Sequence, residues 1–322
     1  EHGPYRVTEG GDVLAYNEFS WNQYANVLYL EGPVGVGFSI NKQEEITLDD
    51  ESAAENNFFA LHDFMTRYLS RRLLRGIASG ELQNKNFKGF AIGNPVFEEA
   101  ARNVATAIAY LTYGLIPQKY SELLFESWQK ILRGEELDMG ILKEIAWMVR
   151  KTMQIFNGSV LYNIAEHCPA EVNTEVLIHI LQLFHRLEKG SSYLCNAASN
   201  VQLYLNRLDV QDSFFRMLIY HGDVDAILPV TLTVQSTNKI AADNSLIDQE
   251  YKSVWHFFND FAGVRSGFRS SSGNVSLDIL TVRGAGHSVP TSLPDQAFQM
   301  IYNFILTKED EVIDYSKPIM KH

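Results

Sequence analysis

Strand and helix patterns alternate in the first hundred residues. The apolar run at residues 26–30 predicts a buried strand, and residues 87–92 predict a second one. Between them, Asp49 and Asp50 offer an N-cap for a helix that ends near Leu69 and places an apolar side chain at every third or fourth position. A strand, a helix and a strand in this order predict a parallel sheet.

The pattern becomes helical after residue 97. Helical periodicity dominates residues 98–210 and no clear strand interrupts it, so we interpret this range as a helical insertion. Residues 1–97 and 211–322 would then form one discontinuous α/β core. The predicted helices of the insertion are residues 104–115, 122–131, 141–156 and 175–187.

Strands return in the last third of the chain. Residues 216–220 and 277–282 are strongly apolar and predict two more strands, and residues 295–306 predict an amphipathic helix. The polar tail, residues 307–322, is expected to be loose.

Composition and charge exclude several classes of protein. The chain has 322 residues, of which 46% are hydrophobic and 20% charged, as in a packed globular protein and unlike a disordered chain. Acidic residues outnumber basic ones by 39 to 27, and an acidic surface repels nucleic acid. No stretch approaches the ~20 consecutive apolar residues of a membrane span.

Cysteines and glycosylation sequons give weaker information. Two cysteines, Cys168 and Cys195, are too few for a disulfide-dense scaffold or a four-cysteine zinc site. N-x-S/T sequons at Asn157 and Asn274 favour a secretory route, although two sequons also arise easily by chance.

No cofactor or metal is expected. The glycine-rich loop at residues 32–37 lacks the third glycine of a dinucleotide site, because Ile40 stands there, and no phosphate-binding G-x-x-x-x-G-K motif occurs. His179 and His185 lie six positions apart on one predicted helix, which is poor spacing for a shared metal ion.

Acidic and imidazole groups follow two of the predicted strands. Asp223 and Asp225 come directly after residues 216–220, and His287 lies in a glycine-flanked loop after residues 277–282. Sites in α/β sheets form at the carboxyl ends of strands, and an aspartate before a histidine is the second half of the Ser…Asp…His order of α/β-hydrolases. On these features alone, a turn aspartate and a loop histidine are favoured over a catalytic pair.

Six sequence blocks nevertheless resemble those of the serine carboxypeptidase family, in particular its cathepsin A-like (lysosomal protective protein) branch, in the same order. They are residues 1–4 (E-x-G-P in the family), 20–39 (S-W-N, then A-N-V-L-F-L-E-S-P-A-G-V-G-F-S), 87–94 (L-K-G-x-x-I-G-N), 113–116 (H-G-L-I), 219–225 (I-Y-N-G-D-V-D) and 284–291 (G-A-G-H-x-V-P-T). The resemblance covers nearly the whole chain. It implies an α/β-hydrolase fold, mostly parallel, in which the helical insertion is a lid.

The resemblance also implies roles for individual residues. Asp225 matches the acid of the triad, His287 the general base, and Glu1 a glutamate that helps to bind the terminal carboxylate of a peptide substrate. A carboxyl group can hold a carboxylate only when one of the two is protonated, so such a site works at acidic pH. The implied protein is a lysosomal or secreted peptidase that acts on peptide C-termini, and a homodimer is one assembly that the resemblance allows.

Cys168 and Cys195 match two lid cysteines that pair in the family. A disulfide between them would contribute about 3 kcal/mol, and two free thiols are the less favoured alternative in an oxidising compartment.

The chain departs from the family where the nucleophile should be. The family carries its serine in a G-E-S-Y-A-G elbow ahead of the block at residues 87–94, whereas here Leu69 runs directly into Ser70 and a basic stretch. The pattern G-x-S-x-G occurs nowhere in the chain. The family's upstream G-G-P-G oxyanion loop is also not found, and a further family segment is missing after Gln211.

A chain without the elbow is expected to be inactive, and it is also expected to fold poorly or in part, because the elbow block supplies a central strand. The alternative function is a non-catalytic binding or protective protein, although the retained Asp225 and His287 argue against long-standing inactivity. A different α/β-hydrolase that recruits Ser39 or Ser70 is least favoured, since neither serine sits on a strand-to-helix elbow.

Overall fold

A computed structural model describes most of the predicted core and part of the helical insertion. The described residues are 2–7, 14–30, 39–40, 53, 56–57, 60, 89–95, 99–156, 161, 163–165, 215–248, 252–308 and 311–319.

Eight strands and six α-helices lie within these ranges. The strands are β1 (Tyr5–Val7), β2 (Leu14–Tyr16), β3 (Gly89–Gly93), β4 (Phe215–Gly222), β5 (Ile247–Asp248), β6 (Ser253–Phe257), β7 (Asp260–Arg269) and β8 (Val275–Val282). The helices are α1 (Glu99–Thr112), α2 (Ser121–Leu132), α3 (Met139–Phe156), α4 (Val230–Asp243), α5 (Val289–Ser292) and α6 (Pro294–Leu306). Short 3-10 turns occur at Trp21–Gln23 and Gln118–Tyr120.

The main sheet is mixed and has six strands. The order is β3-β4-β8-β7-β5, and β6 pairs with the same strand β7. Strands β3, β4 and β8 are parallel, whereas β5, β6 and β7 run antiparallel to their neighbours. Strands β1 and β2 form a separate hairpin. Three of the predicted strands, at residues 87–92, 216–220 and 277–282, are therefore present and parallel. An antiparallel hairpin of β6 and β7 extends the sheet beyond them.

Both faces of the parallel strands are covered. On β4 and β8, Leu218, Leu280 and Val282 pack toward the cluster that includes α6, while Met217 and Ile279 point to the opposite face, where Ala241 of α4 packs. Alternate side chains of a strand point to opposite faces, so burial on both sides requires a continuous apolar run. This is why residues 216–220 and 277–282 are easily recognised in the sequence.

Helices α1, α2 and α3 form a second apolar cluster. Their buried side chains recur at helical spacing, as in Ile145, Met148 and Val149 of α3, and they pack against residues 226–228, which follow β4. The helical layer thus contacts the turn that carries Asp225. The division into a core and a lid stays a prediction, because residues 166–214 lie outside the described part.

Most predicted elements within the described ranges are confirmed, with ends shifted by a few residues. The helix at residues 175–187 lies outside the described residues. Of the helix at 49–69, only residues 53, 56, 57 and 60 are described, and these four are helical.

The strand predicted at residues 26–30 is wrong. This segment has no regular structure, and Leu28, Tyr29 and Leu30 are about half exposed. A strand needs hydrogen bonds from a neighbour. None of the described strands pairs with this segment, and β3 is the last described strand at its end of the sheet.

The loose tail is also wrong for residues 311–319. Tyr315 is buried, and its hydroxyl donates to Asp278 Oδ2 on β8 at 3.0 Å. The side-chain amides of Gln299 and Asn303 on α6 donate to the carbonyls of Tyr315 and Lys317, both at 2.9 Å. One buried aromatic residue therefore fixes a polar segment to the core.

Candidate functional site

The loops after β4 and β8 are joined at the carboxyl end of the sheet. Asp223 N donates to Val282 O, and Val224 N donates to Ala285 O, both at 3.1 Å. A Cβ atom on Gly222 would lie 2.2 Å from the carbonyl oxygens of Ala285 and Gly286. Only glycine permits this approach, so glycine at position 222 is required for the two loops to meet.

The approach brings Asp225 and His287 together. His287 Nδ1 lies 2.8 Å from Asp225 Oδ2. The carboxylate is buried, whereas the imidazole is 30% exposed. The sequence-predicted acid and base are therefore neighbours, with the imidazole toward the surface.

Four donors surround the Asp225 carboxylate. Oδ1 accepts from the backbone amides of Ile227 at 2.9 Å and Leu228 at 3.1 Å, and Oδ2 accepts from Asn94 Nδ2 at 2.8 Å as well as from His287. Burial by itself raises the pKa of Asp225, but hydrogen bonds and charges from His221 and His287 outweigh it and lower the pKa to about 2. The carboxylate therefore stays ionised in moderately acidic solution.

His221 is a second imidazole beside the same carboxylate. It is fully buried, with Nε2 2.6 Å from Leu228 O and 3.5 Å from Asp225 Oδ2. A carbonyl oxygen only accepts, so Nε2 carries a hydrogen. On the other side of the ring, Nδ1 lies 2.8 Å from Thr233 Oγ1 of α4.

Sequence reasoning missed three of these partners, namely Asn94, His221 and Thr233. Asn94 follows β3 in a left-handed conformation with φ of 43°, and its backbone amide donates to Tyr220 O at 2.9 Å. Its place in the block at residues 87–94 was the only available signal. Nothing local in the sequence connects Thr233 with residues on β3 and β4, because the contact exists only in the folded chain.

A second acidic group lies near this pair. Asp223 Oδ1 accepts from Gly284 N at 2.6 Å, and burial raises the pKa of its carboxyl group. Tyr113 lies close enough that its own phenol pKa is raised, by burial and by the charges of Asp223 and Asp225. The Tyr113 phenol therefore lies near two carboxyl groups.

The other sequence-predicted site residues are only partly described. Glu1, Ser70, Cys168, Cys195, Asn157, His179 and His185 lie outside the described residues. Ser39 is half-buried, and Asn274 lies half-buried between β7 and β8, directly before the buried Val275 and Ser276.

The described ranges contain no group of three His, Cys, Asp or Glu side chains placed to hold a metal ion. No helix in the same part of the chain is long and apolar enough to cross a membrane.

A family model for serine carboxypeptidase matches the chain in three pieces, residues 1–72, 68–214 and 212–307. The chain belongs to the serine carboxypeptidase family. Serine carboxypeptidase ctsa-4.1 of Caenorhabditis elegans is 25% identical over 389 positions, covering 99% of this chain and 81% of its own. Serine carboxypeptidase-like 45 of Arabidopsis thaliana is 27% identical, covering 95% of this chain and 77% of its own.

Solved structures support the same fold. The prohormone-processing carboxypeptidase Kex1Δp of Saccharomyces cerevisiae matches with a TM-score of 0.57 at 13% identity, over 94% of this chain and 79% of its own. The α/β-hydrolase fold inferred from the sequence is thereby confirmed.

The match of this serine carboxypeptidase to its family has internal breaks. The three matched pieces meet at residues 68–72 and 212–214, where the sequence joins Leu69 to Ser70 and Gln211 to Asp212. In the alignment with ctsa-4.1, 99% of 322 residues is about 319, so about 70 of the 389 positions lie opposite gaps in this chain. The relative therefore contains internal residues that this chain does not have.

Proposed function

We propose that Asp225 and His287 are the acid and base of a site that belongs to peptide C-terminal hydrolysis at acidic pH. The observation that carries this proposal is the 2.8 Å contact between them at the edge of the parallel sheet. A buried carboxylate at Nδ1 fixes the imidazole tautomer and stabilises the imidazolium formed when the base takes a proton. The low pKa of Asp225 suits this role in acid.

The same proposal holds that the chain has no nucleophile for this base to activate. No G-x-S-x-G elbow occurs in the sequence, and the family match breaks at residues 68–72, close to where the elbow would stand. A hydroxyl nucleophile needs an adjacent base and an exposed turn that presents it. Without both, an Asp–His pair performs no acyl transfer.

A fluorophosphonate probe tests this directly. The purified chain should show no covalent adduct by intact-mass spectrometry, while a family member that carries the G-E-S-Y-A-G elbow is labelled in parallel. A stoichiometric adduct that disappears in His287→Gln would contradict the proposal. Its location on Ser39 or Ser70 would instead identify a recruited nucleophile.

A second candidate function is non-catalytic binding of peptide C-termini, including a protective role. It is favoured by a site that stays assembled. Asp225 has four hydrogen-bond donors, and Arg6 Nη2 donates to Pro290 O at 3.2 Å, connecting the N-terminal hairpin to helix α5, which follows His287. Glu1 would supply the contact to the terminal carboxylate. That contact requires a shared proton, so binding should strengthen in acid.

Calorimetry with a matched pair of peptides tests this binding candidate. A peptide with a free C-terminal carboxylate should bind more tightly at pH 5 than at pH 7, and its C-terminal amide should show no such change. Glu1→Gln should remove the pH dependence. Equal binding of both peptides at both pH values would exclude Glu1 as a carboxylate site.

We further propose that the protein is lysosomal or secreted. The proposal is supported by the sequons at Asn157 and Asn274 and by the pair Cys168 and Cys195. Peptide mapping under non-reducing conditions should find one cross-link between these cysteines and glycans at one or both asparagines. Two free thiols with no glycan in protein purified from the eukaryotic cells that express it would contradict it.

A further inference from the structure

We infer that His221 is a positioning residue that holds the Asp225 carboxylate in the orientation that meets His287. His221 lies at the end of β4 with no exposed surface, in direct contact with the turn that follows Asp225. It has no route to a peptide substrate, so its action is through Asp225. In the similar block of the family, this position carries asparagine.

The Leu228 peptide group forms contacts on both of its sides. Its N–H donates to Asp225 Oδ1 at 3.1 Å, and its carbonyl accepts from His221 Nε2 at 2.6 Å. The same Nε2 lies 3.5 Å from Asp225 Oδ2. His221 thus closes a small ring of contacts that fixes both the turn and the carboxylate.

The other edge of the His221 imidazole also contacts a buried side chain. Nδ1 lies 2.8 Å from Thr233 Oγ1, which is itself buried and lies 3.4 Å from Pro95 O. The residue before Pro95 is Asn94, whose side-chain amide donates to Asp225 Oδ2. The ring therefore connects β4, α4 and the end of β3, and it cannot rotate without leaving buried polar groups unpaired.

Side-chain length provides a sharp test. Asparagine at position 221 reaches the place of Nδ1 and keeps a partner for Thr233, but it leaves Leu228 O without a donor. Glutamine reaches the place of Nε2 and keeps the donor. If His221 acts through Nε2, glutamine should preserve the site and asparagine should not, although asparagine is the family residue.

The readout is the low-field proton resonance of His287 Nδ1–H, hydrogen-bonded to Asp225, in the full chain labelled with ¹⁵N-histidine. His287→Gln assigns this signal by removing it. We expect His221→Gln to retain the resonance. In His221→Asn the proton should exchange with water about fivefold to tenfold faster, as when one buried hydrogen bond is lost, and the resonance should broaden. Near-ultraviolet circular dichroism monitors the fold of each variant.

The outcomes separate this inference from the proposed function on which it rests. Absence of the resonance in the wild-type chain would overturn the Asp225–His287 pair itself. A resonance that is unchanged in His221→Asn would overturn only the role of His221, as would equal loss in the glutamine and asparagine variants with an intact fold.

Thr233→Val keeps the test decisive if His221→Asn does not fold. Valine has nearly the shape of threonine and removes only the hydroxyl beside Nδ1. Faster exchange of the His287 proton supports the positioning role, and an unchanged exchange rate contradicts it.

Discussion

At the scale of single residues, the site depends on one buried charge. Asp225 combines deep burial, which raises its pKa, with hydrogen bonds and charges from His221 and His287, which lower the pKa and prevail. Its partner could be predicted because aspartate and histidine follow apolar strands in recognisable blocks. The buried donors could not, since burial and orientation are properties of the folded chain.

The depressed pKa of Asp225 predicts a specific loss of stability in acid. The folded pKa is about 2 against an ordinary value of 3.8, so the charge stabilises the fold above pH ~4, and the contribution of about 2 kcal/mol is lost as the pH falls toward 2. In urea unfolding, the free energy of unfolding should fall between pH 5 and pH 2, and the fall should be smaller by about this amount in Asp225→Asn than in the wild-type chain. The exposed Asp260→Asn serves as control, and an equal fall in both variants would contradict the prediction.

A second prediction at this scale concerns Gly222. A methyl group there would collide with the backbone of residues 285 and 286, so Gly222→Ala should lower the free energy of unfolding by about 2 kcal/mol or more and separate the two loops. Gly134→Ala is the matched control, because it meets no atom within 4 Å and its φ of 72° costs about 1 kcal/mol. Equal destabilisation of the two variants in thermal unfolding would refute the close approach.

At the scale of elements, hydrophobic periodicity predicted the amphipathic helices and the strands that are buried on both faces. Helices α1, α2, α3 and α6 and the doubly covered strands β4 and β8 belong to this group. The hairpin of β6 and β7 was missed because its glycines and charged residues obscure the strand pattern. The segment at residues 26–30 has a strand-like sequence without a described partner strand, and pairing, not sequence, decides whether a strand forms.

The C-terminal segment gives a prediction at the element scale. Asp278 is buried between Arg265, Arg269 and the Tyr315 hydroxyl. Tyr315→Phe removes the hydroxyl that donates to Asp278 Oδ2 and should therefore destabilise the protein by about 2 kcal/mol. Val312→Ala, at a 70% exposed position of the same segment, should change the free energy of unfolding by less than about 0.5 kcal/mol. Similar effects of both variants would show that the segment is not fixed by Tyr315.

At the scale of the whole molecule, the family and the fold follow from matches along nearly the whole chain, whereas the activity depends on the segments at which the family match breaks. The family match spans residues 1–307 but breaks twice, and the described sheet ends at β3. Motif blocks predicted the family because each block has a fixed structural task. They could not predict how the chain compensates for segments that relatives possess, since this depends on packing across the entire sheet.

The two breaks in the family match predict that the chain unfolds with weakened cooperativity. A parallel sheet that lacks an internal strand loses burial of core size, so urea unfolding should be broad, with a low m-value and with fluorescence and circular dichroism transitions that do not coincide. A single coincident transition with the m-value of a relative of normal length would show that the sheet is complete without the missing segment.

The absence of a nucleophile is tested most directly by the rate at which the purified chain releases C-terminal amino acids from blocked dipeptides between pH 4 and pH 7. We predict no release above the His287→Gln background, because the acid and base are assembled without a nucleophile. Release that is phosphonate-sensitive and lost in His287→Gln would contradict it and establish this chain as an active serine carboxypeptidase.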